Sequence, residues 1–129
     1  LQIPENNLMA CVDSQKIVRA LENLIINAIN YGKEGKYIDI SLENTMIQDK
    51  EYFSICVKNS GEISQIDLPH LFDRFYRVEK SRSLVTGGSG LGLAITKSII
   101  DLHSGDISVY SSNGKTGFII NIPIFFQEK

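Results

Sequence analysis

Cysteine is scarce: the 129 residues hold only Cys11 and Cys56, and neither stands in a C-x-x-C or Cys/His spacing. That argues against a disulfide framework or a zinc-ligand set. Both thiols sit in apolar, strand-like runs and are expected to be buried in a reducing cytoplasm. Charge of one sign is lacking too. With Lys+Arg 13 against Asp+Glu 15 the net charge is -2, so no basic field suits nucleic acid and no acidic tail suits a basic partner. No apolar stretch approaches the length that crosses a bilayer, and no signal-peptide pattern opens the chain, so no direct membrane contact is expected. Internal repeats, low-complexity tracts and long linkers are also missing. One domain over 1–129 is the economical reading, and a start at Leu1 without a methionine reads as a domain of a longer protein.

What is present is an ordinary globular composition, 43% hydrophobic and 22% charged, long enough to bury a core without staples. Asp13-Ser14 is a helix N-cap pair, after which Ile17, Leu21, Leu24, Ile25 and Ala28 recur at helical spacing until Gly32. Ile38, Ile40 and Leu42 alternate with polar residues and predict a half-buried strand. Asp49-Lys50 predicts a hairpin turn into a second strand over Phe53–Val57. A short helix is predicted over Asp67–Tyr76, a polar, glycine-rich loop over 77–90, and a helix over Leu91–Leu102 that stops at His103-Ser104-Gly105. Two further strands, Ile107–Tyr110 and Phe118–Ile122, flank a turn at Asn113-Gly114. The order is not a strict β-α alternation. It predicts an α+β sandwich, a mixed and largely antiparallel sheet with helices on one face.

Three groups of residues are candidates for chemistry. Asn23, Asn27 and Tyr31 fall four apart on one face of the first helix, with Asn30 beside them. Asparagine is a poor helix former, so the stripe reflects either solvation or a site. Gly88, Gly90 and Gly92 open directly into a helix, where backbone amides and the helix N-terminus favour phosphate. No preceding strand supports a dinucleotide fingerprint, no Gly-Lys-Ser/Thr supports a Walker loop, and a mobile loop is the plain alternative. Phe72, Phe75 and Tyr76 at i, i+3, i+4 are expected to pack mainly in the core. Arg77, Lys80 and Arg82 follow them with positive charge suited to a polyphosphate.

Together these stretches resemble the catalytic ATP-binding domain of bacterial sensor histidine kinases, within the superfamily shared with gyrase, Hsp90 and MutL and named for the Bergerat fold. Asn23–Tyr31 resembles the family's asparagine box, Val57–Gly61 its first glycine box, and Leu71–Arg77 its phenylalanine box. Gly88–Gly92 with Leu93-Ala94-Ile95 resembles the second glycine box, and Gly114-Lys115-Thr116 the third. The resemblance covers nearly the whole chain, with the boxes in family order.

It implies ATP and Mg²⁺ as ligands. Asn27 would coordinate the magnesium, Tyr31 would pack on the adenine, and Arg77 would face the γ-phosphate as the catalytic cation. Amides of Gly88, Gly90, Leu91 and Gly92 would hold the phosphates under a lid spanning about residues 77–92. Asn30, Asn59, Gly61, Ile63, Lys80, Arg82, Leu93 and Thr116 complete the implied nucleotide site. Asn23 stands where hydrolytic relatives keep a glutamate base. Its amide cannot activate water, which suits transfer to a histidine.

Three departures stand out. Asn59 replaces the adenine-reading aspartate; its amide could turn over and donate, which predicts softer discrimination against guanine. The second glycine of that box is missing and the loop Gly61–Ser64 is short. Asn30 replaces a phosphate-facing lysine. In the asparagine and the short loop the chain resembles some Gram-positive kinases, including ones similar to vancomycin-resistance sensors. Neither His70 nor His103 has the context of a phosphoacceptor, so both are expected to pack or cap. The acceptor histidine is expected on a dimerisation domain preceding Leu1, through which a response regulator would be served. A cytoplasmic location, in a protein anchored elsewhere in a membrane, is the matching expectation. The rivals are a serine kinase of the anti-sigma type and a degenerate docking module that has lost its nucleotide.

Overall fold

The computed structural model describes residues 13–31, 38–76 and 92–124. Helix α1 runs Ser14–Tyr31, strand β1 Ile38–Ile47, β2 Lys50–Ser60, helix α2 Gly92–Leu102, β3 Asp106–Ser112 and β4 Lys115–Pro123, with one 3-10 turn at Leu68–His70 between β2 and α2. Among the described residues the strands form a four-stranded sheet in the order β1-β2-β4-β3, every pairing antiparallel. This is the α+β sandwich that the alternation predicts.

Asp13 starts α1: its Oδ1 accepts the Lys16 amide at 3.3 Å and its carbonyl the Ile17 amide at 2.9 Å, which satisfies donors that a helix start leaves open. Ala20, Leu24 and Ala28, four apart, are the fully buried stripe of α1. They join Ile99 and Ile100 of α2 and Val57, Phe118, Ile120 and Ile122 of the sheet in one cluster. Register makes that face: Val57 pairs with Phe118, Ile55 with Ile120 and Phe53 with Ile122. Cys56, one residue out of phase, is half-buried on the opposite face. Burial pushes its thiol above the ordinary range, an effect that nearby Lys58 partly offsets, so it is a poor thiolate source. Cys11 lies outside the described residues.

Both hairpins turn in two residues with positive φ, Gln48 and Asp49 (51° and 68°) and Asn113 and Gly114 (54° and 77°), the handedness that matches strand twist. β1 and β2 extend further than alternation suggests. Residues 44–47 pair fully with β2 yet carry Met46 and Ile47 exposed, so no inside-outside pattern marks them.

The predicted helix over Asp67–Tyr76 is not formed. Pro69 supplies no amide hydrogen, and the bonds His70→Asp67, Leu71→Leu68 and Asp73→His70 all span three residues. Phe75 adopts φ 67°, which no right-handed helix continues through. The aromatic stripe is correspondingly split. Phe72 meets Phe118 edge to face at 6.2 Å, Phe75 is 68% exposed, and Tyr76 stacks on His70 at 5.2 Å while its hydroxyl donates to Asp67.

His103 caps, as expected, and reaches further. Its Nδ1 lies 2.8 Å from the Ile99 carbonyl and must donate there, leaving Nε2 to accept the Asp13 amide at 2.9 Å. The end of α2 is thereby tied to the start of α1. Gly105 then passes so close to β4 that a Cβ would lie 2.3 Å from the Asn121 carbonyl oxygen, a main-chain atom with little room to shift. Gly105→Ala is expected to cost about 1–3 kcal/mol, the scale of overpacking, read as a lower urea midpoint at unchanged m-value.

Candidate nucleotide-binding site

At one end of its helix-facing side the sheet stops being apolar. The row Val57–Phe118–Val109 gives way to Asn59–Thr116–Ser111, direct partners across β2, β4 and β3. These are among the most buried polar residues of the molecule, at 1%, 1% and 4% exposure. Such groups are costly unless bonded, and most are. Thr116 Oγ1 donates to the Gly61 carbonyl at 2.8 Å and lies 2.8 Å from Ser111 Oγ. Ser111 Oγ accepts the Ile63 amide at 2.7 Å. The Gly61 amide donates to the Gly114 carbonyl at 2.8 Å, and Glu62 Oε1 accepts the Gly114 amide at 3.1 Å. The short turn after β2 is thus bolted to the β3–β4 hairpin, with Gly61 at φ 111°, where a side chain would be strained.

The exception is Asn59. Its Nδ2 donates to the Ser60 carbonyl at 2.6 Å, while its Oδ1 is buried without a partner. Because the Ser60 carbonyl only accepts, the atom beside it must be the nitrogen. Turning the amide over would set two oxygens against each other in a buried site. The amide is therefore fixed in orientation, with Oδ1 as its unpartnered atom.

On α1 the asparagines are not a solvated stripe. Asn23 is half-buried, and its Nδ2 donates at 3.2 Å to the carbonyl of Gly92, the first residue of α2. Thr96 Oγ1 donates to the same carbonyl at 2.9 Å. One turn on, Asn27 is half-buried with Nδ2 enclosed and unbonded. Leu93 packs at the core margin. Asn30 and Tyr31 lie in the last turn of α1, but their side chains fall outside the described residues, as do Arg77, Lys80, Arg82, Gly88, Gly90 and Leu91.

The structure therefore brings Gly61, Ile63 and Thr116 into one bonded network, sets Asn59 beside it as the partner of Thr116 across β2 and β4, and joins Asn23 to Gly92 separately. The residue that composition alone passes over is Ser111. Continuing the alternation of Ile107 and Val109 by one step would have placed it inward. Among the described residues no three His, Cys, Asp or Glu side chains group to hold a metal ion, and no helix is long and apolar enough to cross a membrane.

Solved structures share this two-layer sandwich. The nucleotide-free catalytic domain of histidine kinase ThkA superposes with a TM-score of 0.74 at 31% identity, covering 92% of this chain and 74% of that one. The mycobacterial sensor histidine kinase MprB gives 0.73 at 25%, covering 92% and 76%. Residues 12–125 match the family described as histidine kinase-, DNA gyrase B- and HSP90-like ATPase, and the chain belongs to that family. Sensor histidine kinase WalK of Bacillus subtilis (strain 168) is 38% identical over 98% of this chain and 20% of its own length. The probable sensor kinase SilS of Salmonella typhimurium is 40% identical over 91% and 24%, and the sensor protein VanS of Enterococcus faecium 37% over 95% and 31%. The chain thus spans a fifth to a third of these relatives.

The Asn23 bond can be tested directly. In Asn23→Asp a carboxylate oxygen replaces the donor beside the Gly92 carbonyl, with almost no change in volume. A loss of about 1–3 kcal/mol is expected for leaving that contact unmade, measured by denaturant unfolding at neutral pH. A change of only a few tenths would show that the bond contributes nothing.

Proposed function

We propose that the chain is the catalytic domain of a sensor histidine kinase, binding ATP·Mg²⁺ and presenting the γ-phosphate to a histidine on a dimerisation domain preceding Leu1. The observation that carries this reading is the buried, unpartnered Oδ1 of Asn59 at the polar end of the sheet in a member of this ATPase family. Leaving a buried acceptor unmade costs about 1–3 kcal/mol, and the 6-amino group of adenine supplies the missing donor. A degenerate docking module would have no reason to retain that cost.

In this reading Asn59, Gly61, Ile63 and Thr116 hold the base from the sheet side and Tyr31 stacks on it from the end of α1. Asn30 lies beside the triphosphate. Amides of Gly88, Gly90, Leu91 and Gly92, backed by Leu93, face the phosphates, and Arg77, Lys80 and Arg82 neutralise them from a lid over about residues 77–92. Asn27 would hold Mg²⁺ through Oδ1. No internal bond among the described residues holds its Nδ2 elsewhere, and a single neutral oxygen fits a magnesium that keeps phosphate and water ligands. Bound there, the ion would neutralise phosphate charge. Catalysis by the chain's own residues is positioning and charge complementarity. Asn23, already donating to Gly92, activates no water. A response regulator would take the phosphoryl group from the acceptor domain, and the catalytic domain would work on the cytoplasmic side of an anchored parent.

ATP titration with and without Mg²⁺ tests the reading. Asn27→Ala is expected to weaken magnesium-assisted binding tenfold or more, about 1.4 kcal/mol, while leaving magnesium-free binding nearly unchanged. Absence of ATP binding at millimolar ligand would favour the docking module.

Arg77→Ala separates transfer from binding. Supplying the parent's dimerisation domain in trans with radiolabelled ATP should give label that is lost in acid and stable in alkali, the mark of phosphohistidine. The substitution is expected to cut that labelling far more than ATP affinity, because the guanidinium acts on charge developing at the transferring group. Equal losses would make Arg77 a ground-state contact, and acid-stable label on serine would indicate an anti-sigma-type kinase.

A further inference from the structure

The hydroxyls beside Asn59 have a determinable direction. The Ile63 amide can only donate, so Ser111 Oγ accepts at 2.7 Å. The Gly61 carbonyl can only accept, so Thr116 Oγ1 donates at 2.8 Å. Thr116 has a single proton, already committed, and therefore the 2.8 Å contact between the two hydroxyls has Ser111 as donor. The Lys115 carbonyl, at 3.3 Å from Ser111 Oγ, is the longer and weaker competitor. Protons thus run one way, from Ile63 through Ser111 and Thr116 to Gly61, in a buried chain where each bond polarises the next. At the end of it Thr116 retains a lone pair and no proton. Its direct partner across β2 and β4, Asn59, has its Oδ1 without a partner, while one of its two Nδ2 hydrogens is held on the Ser60 carbonyl.

We infer that Ser111 is a positioning residue for base selection, its hydroxyl fixing the proton chain so that Thr116 offers an acceptor and no proton to the 6-position of a bound purine. The inference rests on the nucleotide reading above and adds to it a residue that touches no ligand. With the unpartnered Asn59 Oδ1 beside it, such an acceptor favours a 6-amino group and repels the carbonyl of a 6-oxopurine. Ser111 holds this arrangement from two sides. It occupies one lone pair of Thr116, and it fastens Ile63, two residues beyond the carbonyl that takes Thr116's proton. Its own main-chain carbonyl is held by Gln65 Nε2 at 3.2 Å, which keeps the turn and strand together. Without the hydroxyl, the Ile63 amide loses its acceptor, Gly61 is less firmly placed, and Thr116 can swing its proton toward a base oxygen.

The test compares affinities for ATP and inosine triphosphate by calorimetry in the 129-residue chain and in Ser111→Ala, Ser111→Thr and Ser111→Cys, with a thermal melt for each. Ser111→Ala is expected to lower the ATP-to-inosine preference about tenfold, and Ser111→Thr, which keeps a hydroxyl, to restore most of it. If the alanine variant does not fold, the cysteine variant, similar in volume and a poor donor, is read in its place with the same expectation. Equal weakening of both nucleotides, with an unchanged ratio, would reduce Ser111 to a structural residue and overturn the inference. So would a threonine variant as unselective as alanine. Failure of the unaltered chain to bind either nucleotide would instead overturn the nucleotide reading itself.

Discussion

The antiparallel register between β2 and β4 is the constraint on which the rest of the molecule depends. Pairing Val57 with Phe118 and Asn59 with Thr116 builds the core and the polar end of the sheet in one step, because side chains alternate strictly between faces. A slip of β4 by one residue would carry Phe118 and Ile120 to the outer face and bring Gly117 and Ile119 inward. It would also separate Thr116 from Gly61, to which it donates. Register here is set by hydrophobic burial. Phe118 and Ile120 are wholly enclosed, and full burial of one such side chain is worth about 1.5–3 kcal/mol, more than any one hydrogen bond of the network. The apolar rows therefore decide the alignment, and the polar row inherits it.

That division explains what could be read from the chain and what could not. α1 was legible because Ile17, Leu21, Leu24, Ile25 and Ala28 recur at the helical period after a capping Asp13; the Asn113-Gly114 turn stands where it was expected, while the first hairpin turns at Gln48-Asp49, one residue before the expected Asp49-Lys50. The stretch 67–76 was not, since its aromatic spacing imitates a helix while Pro69 and the left-handed Phe75 forbid one. Neither steric fact appears in a hydrophobic pattern. At the site, the family resemblance pointed to Asn59 and Thr116. The orientation of the Asn59 amide depends on the Ser60 carbonyl, and the role of Ser111 depends on an amide 48 residues away in sequence. Contacts of that kind are tertiary, and no local periodicity encodes them.

The two helices are joined to each other as firmly as to the sheet. His103 ties the end of α2 to the start of α1, and Asn23 ties the middle of α1 to the start of α2. Ala20 presents a small side chain on the buried stripe between these points, which allows helices to approach closely. Polar links at both ends of a helix pair add little energy singly, about 0.5–1.5 kcal/mol each. Their effect is geometric: they forbid α2 from sliding along α1, so that Gly92 stays where Asn23 can reach it.

This has a consequence for the segment between Tyr76 and Gly92, where the proposed phosphate ligands lie. On its upstream side Tyr76 is held by its hydroxyl on Asp67 and its ring on His70, and His70 is braced by Asp73 at 3.0 Å. On its downstream side the Gly92 carbonyl receives both Asn23 and Thr96. The Gly92 carbonyl is thus held by the half-buried Asn23 amide and the buried Thr96 hydroxyl. Exposed pairs such as His70–Asp73 are worth little, whereas the bonds at Gly92 are partly shielded from water. The first turn of α2 is therefore kept in register with α1 by bonds that solvent weakens little.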